Sequence, residues 1–133
     1  MRMNTPSHPL ALAAGAVLFA ASGLALAAPT PVQTAAQHAG YASHVKHLKQ
    51  VHLHLHHTIN CLVGSKGEGF DAAAGDPCKG ASALDELSKS PRQEALAQQA
   101  LTLARAGEEI GSYRPAHHVA IAVHELLMQA EKK

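Results

Sequence analysis

Across residues 41–62 the apolar side chains Tyr41, Val45, Leu48, Val51, Leu55, Ile59 and Leu62 recur at steps of three and four. That is the period of an α-helix with one buried face. Gly64 follows directly, where a residue tolerant of left-handed backbone ends a helix well. Within the segment, residues 51–56 alternate strictly as Val-His-Leu-His-Leu-His, which is also a strand signature. A strand would break the longer pattern on both sides, whereas the helix leaves only Leu53 on the polar face. The spacing therefore predicts a helix.

Further helical segments follow. Residues 82–89 form a short one, with Leu84 and Leu87 as its apolar pair. Ser90-Pro91-Arg92-Gln93 reads as an N-cap, a proline at the first helical position and a capping-box partner. The helix it opens continues through Leu96, Ala100 and Leu103 to Gly107 or Gly111. The last runs from near Pro115 to about Glu131, with Val119, Val123, Leu126 and Ala130 inward. The fold class expected is all-α: a small bundle of three longer helices and one short one.

Residues 1–27 read as a secretory signal peptide. Arg2 starts a short basic region, an uninterrupted run of apolar and small residues covers 10–26, and Ala25-Leu26-Ala27 supplies an A-x-A cleavage signature. The alternative, an uncleaved anchor, has a run barely long enough to span and no basic stop-transfer cluster behind it. Cleavage after Ala27 leaves residues 28–133. Of these, 28–37 carry two prolines and read as a flexible leader, and 38–133 as a single helical domain. The expected location is secreted or periplasmic, with no stable membrane insertion after cleavage.

Export makes a disulfide the expected state of the only two cysteines, Cys61 and Cys78. They bracket most of a glycine-rich stretch, residues 63–80, that is long for a loop in so small a domain. A bridge would tie both ends. It would also remove the only thiol nucleophile, and without a C-x-x-C a thioredoxin-like oxidoreductase is disfavoured.

With Arg2 removed, ten basic side chains face ten acidic ones, which excludes the basic patch of a nucleic-acid-binding protein. Histidine is the anomaly: eleven in the chain, six of them within residues 44–57. On a helix His47, His54 and Cys61 share a stripe at sevens, with His57 close by, while His52 and His56 stand four apart on the other flank. Two imidazoles at i, i+4 can chelate one ion. Near the C-terminus His117 and His124 are also seven apart, with Met128 one turn further. Imidazole with thioether suits copper, and imidazole with carboxylate suits zinc or nickel. If the His-bearing helices packed side by side, facing stripes could build a site, as in other bundles. His118 and Glu125 read as a solvated pair.

Other templates fail. Residues 64–69 lack the glycine spacing of a phosphate-binding loop, Asp71 and Asp76 lack the pattern of a calcium loop, and no C-x-x-C-H is present for covalent haem. A haem held between two histidines is disfavoured by the few aromatics. The expectation is a histidine-rich, exported protein that binds copper, zinc or nickel for buffering or delivery, not an enzyme, with another envelope protein as a possible partner. The alternative is a structural or interaction domain whose surface histidines charge in acid.

Overall fold

A computed structural model describes residues 26–132, and the signal-peptide reading falls almost wholly outside them. Among the described residues every regular element is helical: α1 (Pro31–Ala42), α2 (Leu48–Val63), α3 (Ala83–Leu87), α4 (Pro91–Glu108) and α5 (Tyr113–Ala130), with a single 3₁₀ turn at Ala72–Ala74. The all-α expectation holds, and the 51–56 alternation lies inside α2 with Leu53 exposed, as the helical reading requires. None of these helices is long and apolar enough to cross a membrane.

The bundle has four longer helices rather than three. The additional one is α1, which occupies most of the stretch expected to be a flexible leader. Thr30 accepts from the Gln33 amide while the Gln33 side chain accepts from the Thr30 amide, a complete capping box, and Pro31 takes the first helical position. Val32, Ala35, Ala36, Ala39 and Ala42 then fall on one buried face. Glu86 accepts from the Val32 amide, satisfying another free donor of the first turn.

The helix expected to run unbroken from Tyr41 turns a corner instead. Ser43 Oγ and the His44 ring both donate to the Gly40 carbonyl, at 2.7 Å each, and close α1. His47 then stands at the N-cap of α2. Tyr41 and Val45 keep their spacing across this corner, so the apolar period continues although the helix does not.

With few aromatics available, the core is built from small and branched aliphatic side chains. Val51, Leu55, Leu62, Val123 and Leu127 are fully buried and alanines of α1, α4 and α5 fill the seams between them. Gly107 marks a close approach between helices: a Cβ there would lie 2.7 Å from Leu55 Cδ1 and 3.0 Å from Val119 Cγ1. The capping box expected at Ser90 is not made. Gln93 reaches across to the Ala130 and Lys132 carbonyls and caps α5 instead.

The Cys61–Cys78 disulfide is formed, with Cα atoms 5.2 Å apart. It is not the only tie on the glycine-rich loop. Asn60, almost fully buried, donates to the Asp71 and Gly75 carbonyls and accepts from the Asp71 amide. Arg105 reaches the Glu68 carbonyl and Ser82 Oγ donates to the Leu62 carbonyl.

Candidate metal centre

Side-by-side packing of α1 and α2 brings three imidazoles together: His38 from α1, and His54 and His57 from successive turns of α2. One ring nitrogen from each lies within 4.8 Å of the others. Among the described residues this is the only set of three His, Cys, Asp or Glu side chains that close. Nδ1 of His38 and Nδ1 of His54 are 3.4 Å apart. Two ligands bound at about 2.0–2.1 Å in tetrahedral geometry are separated by about 3.3 Å, so this edge already has a metal-site length.

The third ring is held from behind. His57 Nε2 is 2.7 Å from the Ala74 carbonyl, which can only accept, so the proton sits on Nε2 and Nδ1 keeps its lone pair. That Nδ1 is buried and has no hydrogen-bond partner. A backbone carbonyl fixing the tautomer of a ligating imidazole is the usual outer support of a metal site. Asn60, one turn beyond His57, fixes the loop that carries this carbonyl. Gly75 lets the loop lie close: a Cβ there would meet His57 Nε2 at 3.1 Å.

Burial, and then repulsion from His57 and His54, push the pKa of His38 down to about 4. Burial and repulsion from His57 also lower that of His54. His38 is therefore neutral well below neutral pH, and His54 is biased the same way, toward the state a metal ion requires. Tyr41 stands at the outer edge, its ring centroid 5.6 Å from that of His38 and 5.4 Å from that of His54.

The other expected ligands lie elsewhere. His47 is exposed at the start of α2. His52 Nε2 donates to the Ile110 carbonyl, and His56 Nδ1 is 2.6 Å from Glu108 Oε1. His117 Nε2 donates to the Ser43 carbonyl and His124 Nδ1 to the Ala36 carbonyl, so the stripe on α5 meets the backbone of α1 rather than the imidazoles of α2. Met128 is exposed on α5. Of the expected ligands, His54 and His57 are brought together, and His38 completes the set. The signal for His38 was the T-P-x-Q start at Thr30, the same cue read at Ser90, which would have placed His38 on a helix. The chain matches no known family, curated protein or solved structure.

Proposed function

We propose that this is an exported metal-binding protein in which His38, His54 and His57 hold copper or zinc for buffering or delivery. The observation that carries the reading is His57 Nδ1, a buried lone pair without a partner beside two further imidazoles. Buried polar atoms are nearly always satisfied, and an ion is one of the few things that satisfies an imidazole lone pair here. The position favours holding and exchange over catalysis: all three rings are only partly buried, and among the described residues no Cys, Asp or Glu joins them. Export is supported by the leader-like residues 1–27 and by a disulfide that persists in oxidising compartments.

Calorimetric titration of the disulfide-intact protein with copper and with zinc tests the site. Loss of merely supporting groups costs about 10–100-fold in affinity, so His38→Ala, or His54→Ala with His57→Ala, is expected to cost at least that. His118→Ala, at an exposed position, is expected to leave affinity unchanged. Loose binding insensitive to all of these changes would reject the site. It would favour the second reading, a structural or interaction domain, which draws support from His52, His117 and His124, each bonded to a backbone carbonyl.

A further inference from the structure

The donor set is short by one. Zinc and cobalt bind four or more ligands, whereas the chain offers three imidazoles and, among the described residues, no further His, Cys, Asp or Glu within 4.8 Å of them all. The neighbouring Thr58, fully buried, directs its hydroxyl hydrogen to main-chain carbonyls, with His54 O at 2.9 Å and Ala35 O at 3.4 Å. The outer side is bordered by Tyr41, whose residue surface is 45% exposed. Three neutral imidazoles also leave the charge of a divalent ion uncompensated, and Glu108 pairs with His56 rather than with these rings. An uncompensated cation with a solvent-side position attracts an anionic ligand.

From this geometry we infer that a metal ion bound at His38, His54 and His57 keeps one coordination position for a small exogenous anion, entering beside Tyr41. The inference rests on the metal-site reading above. It gives delivery a physical route, because a donor from a recipient can bind before any imidazole has to leave. A site saturated by protein ligands would have to break a bond first.

Cobalt(II) is the probe, since its visible absorption reports coordination number and ligand type. Full-length processed protein is loaded with cobalt, with binding confirmed by equilibrium dialysis, and then titrated with azide. The expected result is a saturable shift of the visible bands, retained in Tyr41→Phe and lost together with cobalt binding in His54→Ala with His57→Ala. Bands indifferent to azide would overturn the inference while leaving the metal site standing. A shift seen only in Tyr41→Phe would overturn it too, because the phenol oxygen would then occupy the position. An azide response that survives loss of His54 and His57 would place the cobalt elsewhere and overturn it. Failure of the protein to retain cobalt, copper or zinc at all would remove the underlying reading as well.

Discussion

At the scale of single residues, burial pushes two ionisable groups in opposite directions. Glu108 has its pKa raised to about 7, by burial first and then by the charges of Glu109 and Asp71, with Arg105 opposing. Its folded value exceeds its ordinary one of 4.5, so the native protein holds a proton that the unfolded chain has released. The stability this brings is fully present below pH 4.5 and lost as pH rises through 7. For His38 the folded value lies below the ordinary 6.5, so its contribution is present above pH 6.5 and lost as pH falls toward about 4. Between those limits the two effects oppose each other. Glu108→Gln keeps a neutral side chain of the same shape beside His56, and it does not titrate. Urea unfolding is expected to find this variant more stable than the natural protein at about pH 8, without the decline that Glu108 imposes between about pH 5 and pH 8. Equal stability above pH 7 would count against a protonated Glu108. Neither shift was legible in the sequence, because both depend on which helix covers the residue. His54 and His57 were legible as candidate ligands from their density and spacing. The supporting Asn60 and Ala74 were not, since their role comes from a loop folding back onto α2.

At the scale of elements, α1 separates what pattern can show from what it cannot. Its two prolines in four residues, Pro29 and Pro31, suggest a leader, yet Pro31 sits where a helix accepts proline and Thr30 with Gln33 closes the cap. Its core face is mostly alanine, which registers weakly as hydrophobic but packs closely against α2 and α5. The corner at residues 43–47 was hidden for a different reason: no Gly or Pro marks it, and side chains of Ser43 and His44 close the helix. The element-level prediction concerns residues 28–37. A leader could be deleted without effect, whereas here the deletion removes buried Val32, Ala35 and Ala36. Thermal unfolding followed by circular dichroism is expected to lose its cooperative transition, and metal affinity should fall with it because His38 loses its helix. A deletion variant as stable as the whole domain would show that α1 does not belong to the core.

At the scale of the whole molecule, the disulfide and the helix seams divide the task of holding the fold. The bridge spans 17 residues, and loop-closure entropy for a loop of about this length corresponds to about 3 kcal/mol. Thiol alkylation of unreduced protein is expected to label neither cysteine. Cys61→Ala with Cys78→Ala should cost about 3 kcal/mol in denaturant unfolding, and a negligible cost would mean that Asn60 and its loop bonds suffice. The contact of α5 with α1 and the corner after it is fastened differently. Tyr113, His117 and His124 donate from α5 to the Val45, Ser43 and Ala36 carbonyls. Each of these bonds ends on a main-chain carbonyl, an acceptor whose charge does not change with pH. Between α1 and α2 the arrangement is the opposite: burial, and then the neighbouring imidazoles, disfavour charge on His38 and His54. Acid therefore bears on the bundle unevenly, as on a book with a sewn spine: its effect falls on the edge where α1 meets α2, while the bonds from α5 keep acceptors that do not change with pH.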